Sequence, residues 1–164
     1  MKKIIVVING SGGVGKDSFV NCLKEFNLKI LNISTIDRIK EIAEELAPCS
    51  SYGKNEKYRR FLSDLKDAFT TFNDLPYEDC RKKIDNNDFD IAFIHCREPK
   101  EIQKFVDRMG ATTLLITNDN VPHIETNHAD SEVYNFNYKY KIDNSGTLEE
   151  LKEKAIEFYN KLKN

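Results

Sequence analysis

A glycine-rich stretch near the start of the sequence has the residue types and spacing of a phosphate-binding loop. Gly10 and Gly15 are separated by four residues, and Lys16 follows directly. Glycines let the backbone curl so that successive amide groups point at phosphate oxygens, and a helix behind the loop adds positive charge at its N-terminus. The lysine can reach the β- and γ-phosphates of a nucleoside triphosphate. The alternative interpretation is a strand-to-helix turn that binds nothing.

The residue after the lysine departs from the usual loop. A serine or threonine normally stands there and places its hydroxyl on Mg2+, whereas this sequence has Asp17 and then Ser18. Mg2+ favours carboxylate oxygens, so Asp17 can serve as the metal contact, with Ser18 nearest the α-phosphate. Alternatively, Asp17 only stabilises the helix N-terminus. The predicted nucleotide-binding residues are Gly10, Ser11, Gly12, Gly13, Val14, Gly15, Lys16, Asp17 and Ser18.

The elements that would position this loop follow from the periodicity of apolar residues. Five β-rich segments alternate with segments of helical periodicity, which predicts a parallel sheet with right-handed crossovers. The loop lies between the first strand and the first helix, as the motif requires. Residues 118–137 lack periodicity and are predicted to form a functional loop. The predicted strands are 4–8, 29–33, 91–96, 112–117 and 138–142, and the predicted helices are 16–26, 35–47, 56–72, 77–84, 100–109 and 148–162.

Length and charge narrow the class of protein. The 164 residues predict one domain over residues 1–164. With 25 basic and 27 acidic residues, the chain offers no reason to expect a nucleic-acid polymer or an acidic membrane as partner. The four cysteines are scattered without a zinc or disulfide pattern. We therefore expect a cytoplasmic protein, either a monomer or a homodimer.

Charged residues follow the second and third predicted strands, at the edge where parallel sheets bind ligands. Asp37 can orient or deprotonate an acceptor, or it is simply an acid in the first turn of a helix. Arg38 and Lys40 can hold an acceptor phosphate, or they are solvated helix charges. Arg97 follows the third strand directly. We therefore regard Arg97 as the strongest candidate for a cation on an acceptor or transferring phosphate.

Further candidates lie in the middle helix and in the long loop. Arg59 and Arg60 can neutralise anionic substrates, or they face solvent. We interpret His95 as a core histidine rather than a catalytic one. His128, together with Asp130, would close over the nucleotide base or the acceptor. A metal site in the long loop is not favoured, because the spacing of its histidines and acids does not enforce one.

Several stretches, taken in order, resemble deoxynucleoside monophosphate kinases and animal-type phosphomevalonate kinases. "GKDS" is similar to the Gly-Lys-Asp variant of their phosphate-binding loop. "HCREPKEIQKF" (95–105) resembles their Asp-x-Arg-x-x-x-Glu stretch, which places Arg97 on its arginine. The other similar stretches are "IDRIKEIA" (36–43), "NHADSE" (127–132) and "IDNSGTLEEL" (142–151).

This resemblance implies a P-loop kinase fold, with a five-stranded parallel sheet in the order 2-3-1-4-5 flanked by helices. It also implies ATP and Mg2+ as cofactors, and transfer of the γ-phosphoryl group to a small phosphorylated acceptor. In this interpretation the catalytic residues are Lys16, Asp17, Asp37 and Arg97, with Asp17 as the metal ligand. Acceptor binding would involve Asp37, Arg38, Lys40, Arg59, Arg60, Arg97 and His128.

The sequence departs from this family at His95, where the family has a carboxylate in the third strand. Either Asp17 compensates for that carboxylate, or catalysis is lost. We therefore favour a (deoxy)nucleoside monophosphate kinase and keep two alternatives open. These are a kinase of another small phosphorylated metabolite, such as phosphomevalonate, and a non-catalytic ATP-binding switch or sensor. A GTPase is disfavoured, because "TNDN" (117–120) matches the guanine-binding Asn-Lys-x-Asp motif poorly.

Overall fold

The computed structural model describes residues 3–46, 55–123 and 128–163, apart from the side chains of residues 128 and 129. Five parallel strands form one sheet in the order β2-β3-β1-β4-β5, which confirms the predicted three-layer α/β fold. The strands are β1 (Ile4–Asn9), β2 (Ile30–Ser34), β3 (Ile91–His95), β4 (Thr112–Thr117) and β5 (Tyr140–Asp143). The helices are α1 (Lys16–Lys24), α2 (Asp37–Leu46), α3 (Glu56–Asn73), α4 (Leu75–Asn86), α5 (Pro99–Met109), α6 (His128–Ser131) and α7 (Leu148–Lys163).

Strand β1 lies at the centre of the sheet, between β3 and β4. Ile4 pairs with Ile91, and Val6 pairs with Thr112. Helices cover both faces of the sheet, so the central strands are apolar on both sides. Val6 and Val7 are completely buried. This central position brings the end of β1, where the glycine-rich loop begins, beside the ends of its two neighbours.

Alternate residues of β1 belong to different halves of the core. Val6 and Ile8 pack in a cluster with α1 and α7, where Phe19 makes an edge contact to Phe158 with ring centroids 5.8 Å apart. Val7 packs in the opposite cluster with α4 and α5. A third, smaller cluster joins α2 and α3 and partly buries the apolar residues of α3. Within the described ranges, no helix is long and apolar enough to cross a membrane.

The start of α2 differs from its predicted position at residue 35. The backbone amide of Thr35 donates to the carbonyl of His95 at 3.1 Å, which continues the pairing of β2 with β3 past Ser34. The helix begins at Asp37, whose Oδ2 accepts from the Ser34 amide at 2.8 Å. The ladder contact and this side-chain hydrogen bond hold residues 34 and 35 outside the helix, so α2 begins two residues later than predicted. The predicted end of α2 at residue 47 lies outside the described residues.

Strand β5 begins at Tyr140 rather than at the predicted residue 138. Side-chain contacts hold the two preceding residues instead of the strand ladder. The hydroxyl of Tyr138 donates to the carbonyl of Val133 at 2.7 Å, and the Lys139 amide donates to Thr113 Oγ1 at 2.9 Å. The predicted long loop also contains the short helix α6, which its periodicity did not indicate. Residues 124–127 of that loop lie outside the described residues.

Candidate active site

The glycine-rich loop turns sharply between β1 and α1. Gly10 and Gly15 have φ angles of 148° and 95°, which L side chains rarely adopt. A Cβ atom would also overlap the Ile116 carbonyl oxygen at Gly10 and the Asn144 side chain at Gly15. The Asn144 amide donates to the Val14 carbonyl at 2.8 Å and so holds the loop from the β5 side. Glycine at these two positions therefore follows from the backbone and from close neighbours.

Lys16 folds back over the loop. Its ammonium donates to the carbonyl oxygens of Gly10 at 2.6 Å and Ser11 at 2.9 Å. Burial, followed by the positive charge of Arg97, lowers the pKa of Lys16 to about 8, while Asp17 opposes the shift. Among the described residues, the direct partners of the ammonium are these two backbone carbonyls. An anion bound in the loop would therefore stabilise its charged form.

A cavity of about 770 Å³ lies beside the loop, at the carboxyl ends of β1, β2 and β3 and against α2 and α3. This is the edge at which open parallel sheets bind ligands. Acidic and basic side chains both line it, as expected for a phosphorylated ligand rather than an apolar one. The basic residues are Lys16, Lys40, Arg59, Lys66 and Arg97, and the acidic residues are Asp17, Asp37, Glu98 and Asp130.

The structure shows which of the basic residues close together in the sequence line the cavity and which do not. Lys40 and Arg59 line the cavity. Arg38 instead pairs with Glu41 at 2.7 Å on the outer surface of α2, and Arg60 is exposed and outside the cavity lining. Residues one or two apart on a helix face different directions. The predicted acceptor-binding role therefore has geometric support at Lys40 and Arg59.

Asp37 combines the two interpretations that the sequence left open. Asp37 is the first residue of α2, and one of its carboxylate oxygens accepts from the Ser34 amide. Its side chain also lines the cavity. The predicted role of His128 concerns a side chain outside the described part of the structure. Its neighbour Asp130 does line the cavity.

His95 lies at the cavity wall and not in the core, which corrects our expectation of a core histidine. Its Nε2 lies 2.8 Å from Asn32 Oδ1 and 3.7 Å from Asp17 Oδ1. Burial is the largest influence on its pKa and lowers it, so the imidazole is mainly neutral at neutral pH. A neutral imidazole cannot replace the charge of a carboxylate at this position.

The oxygen atoms at the start of α1 fit Mg2+. Asp17 has a side chain that is 82% exposed, and Ser18 is also exposed. Mg2+ is commonly held by one or two carboxylates together with substrate phosphates, and it keeps several waters. Asp17 can supply such a carboxylate, whereas the nitrogen of His95 is a poor ligand for this hard cation. Asp17 is therefore the side chain at this end of α1 that could hold Mg2+ together with the phosphates of a nucleotide.

Arg97 follows the end of β3 and lines the same cavity as the glycine-rich loop. Burial lowers the pKa of Arg97 most, while the charge of Glu98 raises it and the charge of Arg59 lowers it. Arg97 in turn lowers the pKa of Lys16. Lys16, Arg59 and Arg97 all line this cavity. Like charges converging on one cavity favour an anionic ligand.

A buried ionic network lies at the wall of the cavity, and no pattern in the sequence indicated it. Lys66 is 5% exposed, and its ammonium donates to Glu98 at 2.6 Å and Glu101 at 2.7 Å. The Thr70 hydroxyl lies 3.3 Å from the second oxygen of Glu101. Burial alone would lower the pKa of Lys66, but the carboxylates of Glu98 and Glu101 raise it. The network therefore fixes α3 to the start of α5 beneath the cavity.

This network does not indicate a metal site. Cys96, Glu98 and Glu101 place possible ligand atoms within 4.8 Å of one another, which no other group of the described residues does. However, the Lys66 ammonium already contacts both carboxylates. Burial also raises the pKa of the Cys96 thiol well above its usual range, so the thiol is neutral and a weak ligand.

Replacing Lys66 with methionine is expected to destabilise the protein by about 3–5 kcal/mol, because two buried carboxylates lose their cation. Urea denaturation followed by circular dichroism measures the change. Lys57→Met, on the exposed surface of the same helix, should change the free energy of unfolding by less than about 0.5 kcal/mol. Equal changes in the two variants would contradict a stabilising role for the network.

Comparison with known proteins identifies the fold and not the family. No family model matches the sequence, and no curated protein matches it. The chain is similar in structure to shikimate kinase from Aquifex aeolicus vf5, with a TM-score of 0.52, 13% identity and 96% of each chain covered. It is similar to TT1252 from Thermus thermophilus, with a TM-score of 0.56, 14% identity and 99% of each chain covered.

A third similar structure is a sugar kinase from Janibacter sp. HTCC2649. Its TM-score is 0.52 at 14% identity, with 97% of this chain and 95% of that chain covered. At such low identities the similarity concerns the path of the backbone. The chain therefore shares the three-layer α/β fold of these proteins. The more specific resemblance to nucleotide and phosphomevalonate kinases continues to depend on the sequence motifs.

Proposed function

We propose that the protein is an ATP-dependent kinase that transfers the γ-phosphoryl group to a small phosphorylated acceptor, with a (deoxy)nucleoside monophosphate as the favoured acceptor. One observation carries the proposal. A phosphate-binding loop and a second group of cations line the same cavity, and Arg97 interacts electrostatically with a member of each group. The loop would thus bind a triphosphate and the second group of cations would bind an acceptor phosphate, with Arg97 available to both.

Phosphoryl transfer needs mainly positioning and neutralisation of charge. The loop amides and Lys16 would bind the triphosphate, and Ser18 would lie near the α-phosphate. Lys40 and Arg59 would bind the acceptor phosphate, while Asp37 would orient the acceptor. Mg2+ held by Asp17 would supply further positive charge at the phosphates. Arg97 would stabilise the charge that spreads over the transferring group.

The fold supports this proposal at a coarser level. A shikimate kinase and a sugar kinase have the same fold, and their names describe phosphoryl transfer to small metabolites. The neutral His95 favours a second candidate function, an ATP-binding switch or sensor, because this chain has no carboxylate at that position of β3. A kinase of another phosphorylated metabolite, such as phosphomevalonate, would share every feature of the triphosphate-binding side.

The proposal is tested by ADP release from Mg-ATP in the presence of single acceptors. The panel contains the deoxynucleoside monophosphates, the ribonucleoside monophosphates and phosphomevalonate, with shikimate and hexoses as unphosphorylated controls. We expect release to depend on a phosphorylated acceptor. ATP binding without acceleration by any acceptor would overturn the kinase proposal in favour of the sensor. Acceleration only by unphosphorylated compounds would overturn the acceptor class.

A further inference from the structure

We infer that Asp130 is a positioning residue, which holds the Arg97 guanidinium in the orientation that phosphoryl transfer requires. The inference rests on the proposed function. Asp130 Oδ1 accepts a hydrogen bond from Arg97 Nη1, and both residues line the cavity. A carboxylate paired with one nitrogen of an arginine limits its rotation and leaves its remaining donors for a ligand.

The exposed fractions of the two side chains show which partner is more accessible. The Asp130 side chain is 7% exposed, whereas that of Arg97 is 37% exposed. The carboxylate therefore lies on the inner side of the pair and the guanidinium on the outer side. Leaving a buried carboxylate without its cation is costly, so we expect Asp130 to stay paired while Arg97 contacts a phosphate. This distinguishes a positioning residue from a carboxylate that the ligand displaces.

One buried amide contacts the backbone of Arg97 and is connected, through Tyr138, to the segment that carries Asp130. Asn9 is completely buried at the end of β1, and its Nδ2 donates to the Arg97 carbonyl at 3.3 Å and to Tyr138 Oη at 2.6 Å. Tyr138 in turn donates to the Val133 carbonyl at 2.7 Å, close to Asp130 in the chain. Asn9 Oδ1 also accepts from the Gly10 amide at 2.8 Å. The same amide therefore connects the phosphate-binding loop, Arg97 and the segment that carries Asp130.

A second contact connects this segment to the loop. Ser11 is 4% exposed, and its hydroxyl lies 3.1 Å from Tyr134 Oη and 2.6 Å from His123 Nδ1. The segment between β4 and β5 is thus attached to the loop on both sides of Asp130. These contacts anchor the chain near Asp130, as a residue that orients another requires.

The kinetic test uses Asp130→Asn, which keeps the size of the side chain and removes its charge. We expect kcat to fall about 10- to 100-fold, as for the loss of a hydrogen bond between charged groups, with the Kd for Mg-ATP changed less than threefold. Asp64→Asn, on the exposed surface of α3, is the matched control and should leave both values unchanged. A parallel loss of ATP affinity and kcat in Asp130→Asn would overturn the inference.

A double-mutant cycle separates positioning from general disruption. In an Arg97→Ala background, Asp130→Asn should have no further effect on kcat, because the residue that it orients is absent. A further tenfold loss in that background would overturn the inference. If Asp130→Asn does not fold, Tyr138→Phe replaces it, since this variant removes the anchor of the segment and keeps the carboxylate. Its expected effects have the same pattern and a smaller size.

A measurement that does not depend on turnover distinguishes failure of the inference from failure of the proposed function. Nitrogen-15 relaxation of the Arg97 Nε–H group reports the order of the guanidinium in the free protein. We expect its order parameter to fall in Asp130→Asn and to remain unchanged in Asp64→Asn. An unchanged value in Asp130→Asn would overturn the inference, whereas a fall without turnover on any acceptor would overturn only the kinase function.

Discussion

Lys16→Ala is expected to lower acceptor-dependent ADP release at least about 100-fold, the loss typical of removing one preorganised donor to transition-state charge. The ammonium already lies over the loop, bound to two of its carbonyl oxygens. A bound triphosphate offers it an anionic partner in a buried position, where electrostatic interactions are strong. We therefore also expect ATP affinity to fall, which isothermal titration calorimetry measures alongside a coupled ADP assay.

We expect this variant to remain folded, and its urea denaturation checks this expectation. Burial lowers the pKa of Lys16 to about 8, so the folded state disfavours the charged form relative to the unfolded chain. The charge of Lys16 therefore costs stability at pH 7, and this cost disappears as the pH rises above the unfolded pKa. Lys16→Ala should consequently unfold at an equal or higher urea concentration. Full activity of Lys16→Ala, with Lys24→Ala as the exposed control on α1, would contradict the predicted triphosphate site.

Arg97→Ala is expected to reduce kcat about 1000-fold, the lower end of what a cation on a transferring phosphoryl group contributes. Mg-ATP binding should change much less, because in the proposed site the loop and Lys16 hold most of the triphosphate. An interaction that is stronger in the transition state than in the ground state affects kcat more than substrate binding. Single-turnover kinetics together with the Kd for Mg-ATP measure the two effects separately.

The control for this variant is Arg81→Ala, which removes an exposed arginine that pairs with Glu78 and Asp85 on α4. It should leave kcat and ATP affinity unchanged. Equal losses of ATP affinity and kcat in Arg97→Ala would give Arg97 a structural role. Loss of acceptor affinity alone would place it on the acceptor phosphate and not on the transferring group.

The fold was predictable because its elements leave local signals. Apolar strands, glycines before a helix and regular helical spacing each depend on residues close together in the chain. The strand order β2-β3-β1-β4-β5 is different, since a parallel sheet with these elements permits several orders. It was predicted from the resemblance to a family and not from periodicity. The short helix α6 lies in a polar segment whose structure depends on contacts with distant residues such as Asn9.

The candidate site was predictable only in part, because contacts between residues far apart in the chain leave no local pattern in the sequence. The loop residues are adjacent in sequence, so their spacing identified them. In the sequence, Lys66 is one of many charges in an amphipathic helical pattern, and nothing near it in the chain indicates burial. It is buried because Glu98 and Glu101, more than thirty positions away, neutralise its charge. The pairing of Arg97 with Asp130 likewise depends on the tertiary fold. No pattern in a single sequence indicates such partners.

The central position of β1 has a consequence for how the chain folds during synthesis. Ile4 pairs with Ile91 and Val6 with Thr112, so the strand that precedes the phosphate-binding loop is made long before either partner. Translation adds about 5–20 residues per second, so the apolar residues of β1 have no neighbouring strand to pair with for several seconds. Distant pairings also slow folding, because a long loop must close before any contact forms. We therefore expect newly made chains to depend on chaperones until β3 and β4 have left the ribosome.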